Sequence, residues 1–252
     1  MKRALHAEWT KMRTVPGPLW LLLGTVGTTV ALSAAATAVV NCTANGCGGD
    51  TTKLTLIGVY LGQAPVAILA VLLIGGEYNS GLIRTTLTAV PRRATVLAAK
   101  AVTLTGVVAV GGTVAVLGAV LAGRLILPDL GDRELSPSSG PTLRALFGTV
   151  LYLILIGLLS LGVATAVRDA ATSIGVVLGL LYIVPIVSQT ISDPEWRRLL
   201  EKTAPMSSGL AIQATTNLGS LPISPWAGLG VTAAWAAVAL MVGGLLLRTR
   251  NA

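Results

Sequence analysis

The sequence predicts an all-α integral membrane protein with six transmembrane helices in one domain, residues 1–252. Residues 19–40 form an uncharged run of 22 residues, and five more long apolar stretches follow. Hydrophobic residues make up 53% of the chain, charged residues only 11%, and the mean hydropathy is +0.79. A helix crosses a bilayer core of about 30 Å with about 20 apolar residues. The predicted spans are Leu19–Val40, Leu54–Gly76, Val96–Ala122, Leu143–Val167, Ala170–Ile191 and Trp226–Leu247.

The distribution of charge predicts the orientation of these spans. With the N-terminus placed in the cytoplasm, eleven Lys or Arg and three acidic residues fall inside, and seven of each fall outside, so the whole net charge of +8 lies on one side. This is the positive-inside pattern. The charge is spread between spans and not clustered as a nucleic-acid site requires. We therefore expect a multi-pass plasma-membrane protein with both termini cytoplasmic and no nucleic-acid partner.

Residues 1–16 are predicted to form an interfacial helix before the first span. Leu5, Trp9 and Met12 recur at i, i+4 and i+7 among four cations, and Pro16 interrupts the pattern. Such a helix lies at the lipid headgroups with its cations toward anionic lipid. The alternative is a loose basic anchor.

The only two cysteines, Cys42 and Cys47, lie in the first outer loop. An oxidising compartment and the neighbouring Gly and Asn residues favour a disulfide between them, and free thiols are the alternative. No metal site is expected, because the sole histidine, His6, lies on the other side of the membrane.

The last outer segment, residues 192–225, is predicted to form an outer gate. Asp193 is an N-cap followed by Pro194, which begins a short amphipathic outer helix. Its apolar residues Trp196, Leu199 and Leu200 lie opposite Arg197, Arg198 and Lys202. The following run, Met206 to Leu218, is too short and too polar to span. It is a candidate re-entrant segment, packed against the other helices.

Polar and small residues within the spans suggest two further roles. Gln63 and Gln189 either line a translocation path or form hydrogen bonds between helices. Gly175 and Gly179 form a G-x-x-x-G pair that permits close helix approach, either at a dimer contact or within the monomer.

The chain is not expected to be an enzyme. The predicted spans hold no His, Asp or Glu at mid-depth, which also disfavours ion-coupled transport. No G-x-x-x-x-G-K-S/T motif is present to bind nucleotide phosphates. Any energy source must therefore be a partner.

The connection after the second span carries a specific resemblance. The second span ends in Gly-Glu-Tyr, followed by Gly-x-Ile-Arg-Thr-Thr-Leu, Pro-Arg-Arg and Lys100. This pattern resembles the permease subunits of type 2 ABC exporters, which have six spans and a separate ATP-binding subunit. The resemblance extends to residues 8–13, Arg168-Asp169 and Pro205 through Gln213, and so covers nearly the whole chain.

The resemblance implies that residues 77–93 form a coupling loop with a cytoplasmic coupling helix that docks on the ATP-binding subunit. ATP and Mg would be bound by that partner, with no cofactor in this chain, and a second permease copy would complete a dimer. Ile83, Leu87 and Val90 form an apolar stripe suited to a partner groove. The alternative is a solvated loop with a lipid-anchoring cluster at Arg92, Arg93 and Lys100. The expected coupling residues are Glu77, Tyr78, Ile83, Arg84, Leu87, Arg92 and Arg93.

The function that follows from the resemblance is ATP-driven export of an amphipathic or hydrophobic substrate: a drug, antibiotic, peptide or lipid. One alternative is an immunity permease of the same family that clears an antimicrobial peptide from the membrane. Another is a non-transporting membrane scaffold or sensor that recruits an ATPase.

Overall fold

The computed structural model describes residues 2–40, 49–79, 81–82, 93–127 and 140–249. Within these ranges the fold is all-α, without strands, and six helices are long and apolar enough to cross a membrane, as predicted. These are α2 (Pro16–Val39), α4 (Val59–Asn79), α5 (Arg93–Ile126), α6 (Gly140–Val167), α7 (Ala170–Thr190) and α10 (Pro225–Thr249). The shorter helices are α1 (Lys2–Thr14), α3 (Thr51–Thr55), α8 (Pro194–Thr203) and α9 (Pro205–Gly209).

Proline and aspartate explain where several helices begin. Pro16 starts α2 because a proline at the first position needs no N–H partner, and the preceding Val15 is extended, as a residue before proline prefers. The carboxylates of Asp50, Asp169 and Asp193 each accept a hydrogen bond from a backbone N–H in the first turn of α3, α7 and α8.

The second span begins later than the predicted Leu54. A short helix, α3, is followed by a turn through Gly58, and the long helix α4 starts at Val59. Gly58 lies directly against α2: its N–H donates to Ser33 Oγ at 3.1 Å, and a Cβ here would overlap the carbonyl oxygen of Thr29. The turn therefore depends on a close approach that sequence periodicity does not reveal.

Helix α6 lies at the centre of the bundle and packs against α4, α5, α7 and α10. In an apolar stretch of 18 residues from each helix, 56% of the residues are buried in both α4 and α6, against only 17% in α2. The core therefore runs along α4 and α6, with α2 at the periphery.

Helix α2 shows the surface that this bundle presents. Its buried residues are small and polar, and they recur every four residues: Thr25, Thr29, Ser33 and Thr37. Its large apolar side chains, among them Leu19, Trp20 and Leu23, are exposed. Small polar residues inside and large apolar residues outside are typical of a helix surrounded by lipid. The exposed apolar surface indicates a multi-pass membrane protein.

The bundle has two ends, which we name by the elements that meet there. The terminal end holds α1, the last turn of α4, the first turns of α5 and the last turn of α10. The distal end holds α3, α8, α9 and the 3-10 turns Leu210–Gln213 and Leu218–Ser220.

Candidate functional site

Lys100 is the centre of the candidate site. Its side chain is fully buried on α5, and its Nζ lies 3.1 and 3.0 Å from the two carboxylate oxygens of Glu8, 2.8 Å from Glu77 Oε1 and 3.0 Å from the carbonyl oxygen of Leu73. A buried ammonium is tolerated only when it is paired and its donors are satisfied. These four acceptors meet that requirement.

Lys11 completes the cluster, which we call the ion network: Glu8, Lys11, Glu77 and Lys100. Its Nζ lies 2.5 Å from Glu77 Oε1 and 3.7 Å from Glu8 Oε1. The network holds two ammonium groups and two carboxylates, so its charges balance. Burial opposes the charged form of Lys11, but the hydrogen bond that Lys11 donates to Glu77 and the charges of Glu77 and Glu8 outweigh it, so the pKa of Lys11 is raised.

The ion network joins three helices around one loop. Glu8 and Lys11 belong to α1, Glu77 lies two residues before the end of α4, and Lys100 lies in the second turn of α5. Helices α4 and α5 flank residues 80–92. Because α5 has 34 residues, it is about 50 Å long and exceeds the hydrocarbon core, which allows its first turns to lie at the membrane boundary.

A second group of contacts ties the residues on either side of this loop, Tyr78 and Arg93, to the rest of the bundle. The guanidinium of Arg168 lies 5.7 Å from the ring centroid of Tyr78 and donates to the carbonyl of Leu246 at 3.0 Å. Arg93 Nη1 donates to the carbonyl of Leu247 at 2.6 Å. Both arginines therefore hold the C-terminal turn of α10, where the helix dipole is negative.

Arg168 makes these contacts from an unusual backbone conformation. Its φ is 67°, in the left-handed region that favours glycine, and it ends α6 just before Asp169 caps α7. The carboxylate of Asp169 accepts from the backbone N–H of Thr172 at 2.7 Å, and this bond lowers the pKa of Asp169. The tight α6–α7 connection thus places the side chain of Arg168 against Tyr78 and the C-terminal turn of α10.

The structure brings some of the predicted coupling residues together. Glu77, Tyr78 and Arg93 all lie at the terminal end, at the two edges of the loop. The lipid-anchoring alternative does not hold for Lys100, because its side chain is fully buried. Outside the described residues lie Ile83, Arg84, Leu87 and Arg92, together with Cys42 and Cys47.

Sequence reasoning missed the role of Glu8. The predicted apolar stripe is divided: Met12 is buried against the bundle, whereas Trp9 is 47% exposed, with Arg13 5.5 Å from its ring. The side chain that accompanies Met12 into the bundle is Glu8, only 4% exposed. One signal was present, since Glu8 is the only acidic residue in a strongly basic segment and lies four residues before Met12.

Gln63 and Gln189 occupy different environments. Gln63 is fully buried, accepts a hydrogen bond from the Tyr152 hydroxyl and donates to the carbonyl of Tyr60 at 3.0 Å. Gln189 is exposed and lines a cavity of about 290 Å³, whose wall also includes Tyr60 and Met206. Both residues thus lie near Tyr60, Gln63 in the interior and Gln189 at a cavity.

Gly175 and Gly179 have open surroundings among the residues that the structure describes. A Cβ at Gly175 would meet nothing within 4 Å, and one at Gly179 only the side chain of Ile183. The helix changes to a π-helical turn at Gly179–Ile183, from which the Tyr182 hydroxyl donates to the carbonyl of Tyr60 at 2.7 Å. No described helix of this chain packs closely on the two glycines.

Comparison with known proteins adds no relative. Within the described ranges, no three His, Cys, Asp or Glu side chains gather as a metal site would need. The chain matches no protein-family model and no curated protein. The strongest structural indication of function is therefore the ion network beside the 80–92 loop, in a bundle of six membrane-length helices.

Proposed function

We propose that this chain is the membrane-spanning permease subunit of an ATP-driven ABC exporter and that it works with a separate ATP-binding subunit, which binds ATP and Mg. The observation that carries the proposal is the ion network. It joins α1 to both helices that flank the loop where the sequence motif places the coupling helix, residues 77–93. If a partner subunit moves this loop, the helices on either side of it must be held together so that they move with it.

The energetics of the network favour movement as one unit. Separating α4 or α5 would leave Glu77 or Lys100 as a buried charge without its partner, at a cost of about 3–5 kcal/mol. Separating α1 would break the Glu8–Lys100 and Lys11–Glu77 pairs. Movement of the loop by an ATPase would therefore displace the ends of α4 and α5 together, with α1 attached. The arginine contacts to Leu246 and Leu247 extend this unit to α10.

The positive-inside pattern supports the orientation in this proposal. The terminal end then faces the cytoplasm of the cell, where the ATP-binding subunit lies, and both termini are cytoplasmic. Trp9 and Arg13, which face away from the bundle on α1, suit a helix at the lipid headgroups.

The distal end then forms the outer gate, residues 192–225. Helix α8 is the short outer helix, and α9 with its 3-10 continuation is the re-entrant segment. The cavity beside Gln189 lies between α4, α7 and this segment, with Met206 and Leu210 in its wall. Mixed polar and apolar walls suit an amphipathic or hydrophobic cargo, such as a drug, antibiotic, peptide or lipid.

Substitutions at Gly175 and Gly179 test the proposed dimerisation. Because no residue that the structure describes closely approaches Gly175, the variants Gly175→Leu and Gly179→Leu should fold normally and lower the yield of crosslinked dimer. Gly162 is the contrasting control, since a Cβ there would overlap the backbone of Ala239 in α10, so Gly162→Leu should disrupt the monomer. Unchanged crosslinking in both leucine variants at Gly175 and Gly179 would remove the dimer contact.

The partner is tested by affinity purification of the tagged chain in mild detergent. We expect an ATP-binding subunit to co-purify in stoichiometric amount, bringing ATP hydrolysis that cargo stimulates. Reproducible absence of an ATPase, with the chain intact and folded, would contradict the proposal. An ATPase that binds without movement of cargo into vesicles would favour the scaffold or sensor.

The coupling loop is tested by substitution within the same complex. Glu77→Ala or Arg84→Glu should reduce coupled ATPase activity while membrane insertion remains intact. Arg248→Glu is a matched control at the terminal end, because Arg248 is exposed and lies outside the loop. Normal coupled activity in both loop variants would contradict the docking role.

A further inference from the structure

Helix α8 at the distal end is strongly amphipathic, and its two faces have different surroundings. Trp196 and Leu199, on the apolar face, are 61% and 49% exposed, and no residue of the helix is buried. The polar face lies toward the turn at residues 219–222. Together they enclose a cavity of about 720 Å³ lined by Arg197, Arg198, Glu201 and Lys202.

This arrangement is the reverse of that in a water-soluble protein, where the apolar face would turn inward. Only three residues separate the end of α7 from the start of α8, and the 219–222 turn that forms the other wall of the cavity ends two residues before α10 begins at Pro225. The helix therefore lies beside the ends of two spans. From this position we expect its apolar face to meet lipid and the cavity on its polar face to lie near the depth of the headgroups.

The cavity carries uncompensated positive charge. Arg197 Nε pairs with Glu201 Oε1 at 3.0 Å, one turn away. Arg198 and Lys202 have no acidic partner within 4.0 Å in the part of the chain that the structure describes. The turn that forms the other wall, residues 219–222, is uncharged. Three cations and one carboxylate leave an excess charge of +2.

We propose that this cavity binds the phosphate headgroup of an anionic membrane lipid. Guanidinium groups bind phosphate oxygens with paired hydrogen bonds, and an ammonium adds a second charge. A lipid is the source of phosphate that reaches a cavity at headgroup depth, beside a helix whose other face lies in the acyl chains. A zwitterionic lipid binds less well, because its own ammonium group meets Arg198 and Lys202. This inference does not depend on the proposed export function.

The test uses the purified full-length chain and native mass spectrometry with phosphatidylglycerol or phosphatidylcholine. We expect phosphatidylglycerol to remain bound preferentially. Each cation near an anionic lipid strengthens binding about fivefold, so the double variant Arg198→Gln/Lys202→Gln should lose more than tenfold. The charge-preserving variant Arg198→Lys/Lys202→Arg should retain most of the binding.

The control Arg248→Gln removes a charge from an exposed residue at the terminal end and should retain the lipid, whereas the single variants Arg198→Gln and Lys202→Gln should each lose about fivefold. Equal retention by the cavity variant, or equal loss in the control, would overturn the proposal. Displacement of the lipid by millimolar inorganic phosphate would also overturn it, because a free anion would then be the ligand.

A second measurement needs no change in the cavity. The fluorescence that the wild type loses in Trp196→Phe reports on Trp196 alone, and lipids brominated near the headgroup should quench it. If this difference signal is not quenched, the apolar face of α8 does not lie in lipid and the cavity is not at headgroup depth. That result would contradict the proposal even if the double variant failed to fold.

Discussion

At the terminal end of the bundle, Lys100 is fully buried and its ammonium group lies between the carboxylates of Glu8 and Glu77. At the distal end, Arg198 and Lys202 line a cavity and have no acidic partner among the described residues. The same kind of charge is thus used internally at one end and remains available to a ligand at the other.

The difference follows from burial. A charge removed from water must be paired within the protein, and the pairing fixes the helices that carry it. A charge at a solvated cavity needs no partner for the fold, so its energy is available for binding. The charges at the terminal end therefore hold helices together, whereas those at the distal end are available to the lipid headgroup that we propose.

The largest expected effect comes from breaking the ion network at its centre. Lys100→Met leaves two carboxylates buried beside an apolar side chain, so we expect unfolding to become easier by about 3–5 kcal/mol. The triple variant Lys100→Met/Glu8→Gln/Glu77→Gln removes those charges and should recover much of the loss. Thermal unfolding in lipid nanodiscs measures both.

Lys202→Met is the matched control at the distal end. Lys202 is exposed and unpaired among the described residues, so its removal should change stability by no more than about 0.5 kcal/mol. Similar losses for the two lysine variants would mean that the ends do not differ as described.

A smaller effect is expected for Asp50, which holds the distal end together. Its carboxylate accepts hydrogen bonds from the backbone N–H groups of Thr215, Thr216 and Lys53, and from the hydroxyl of Thr215. Hydrogen bonds to a charged group contribute about 1.5–3 kcal/mol, so Asp50→Ala should destabilise by about 2 kcal/mol. Hydrogen exchange should rise selectively at residues 214–217.

Asp193→Ala provides the comparison, because Asp193 accepts one bond within its own helix start, from the N–H of Glu195 at 2.8 Å. Loss of such an N-cap costs about 1 kcal/mol or less, and exchange at residues 214–217 should not change. Equal exchange in the two variants would show that Asp50 does not anchor that segment.

The smallest effect is a pH dependence at the terminal end. Because the folded pKa of Lys11 lies above its ordinary value of 10.5, its contribution is fully present below pH 10.5 and is lost as pH rises through the folded pKa. The stability difference between the wild type and Lys11→Gln should be constant from pH 7 to about 10 and should shrink above that. Since Lys11 is partly exposed, we expect no more than about 1 kcal/mol. A difference that grows with pH would contradict the pairing.

The sequence predicts the six spans well because length and hydropathy alone determine whether a helix can cross a bilayer. It also predicts a coupling role for Glu77 and Tyr78 from the motif that contains them, and that role stays a prediction. It does not predict that Lys100 pairs with Glu8, because 92 positions separate the two residues and only tertiary packing brings them together. The sequence does not predict the late start of α4 either, because the contact of Gly58 with α2 depends on tertiary packing.

For the distal cavity, the sequence predicts the amphipathic helix but not the cavity that its polar face forms. The spacing of Trp196, Leu199, Arg198 and Lys202 indicates an amphipathic helix from the sequence alone. Which face turns outward depends on the surroundings, and the periodicity is the same in either case. Only the exposure of Trp196 and the position of the 219–222 turn show that the cationic face encloses a cavity.

The most direct test of the comparison is a pair of double-mutant cycles in lipid nanodiscs, one on Glu8 and Lys100 and one on Arg197 and Glu201. Close charge pairs removed from water couple by about 1.5 kcal/mol or more, whereas exposed i,i+4 pairs couple by about 0.3–0.5 kcal/mol. We predict a Glu8–Lys100 coupling energy above about 1.5 kcal/mol and an Arg197–Glu201 coupling energy below about 0.5 kcal/mol. Equal coupling energies for the two pairs would contradict the account, because α1 would then not be held to α5 by a buried ion pair.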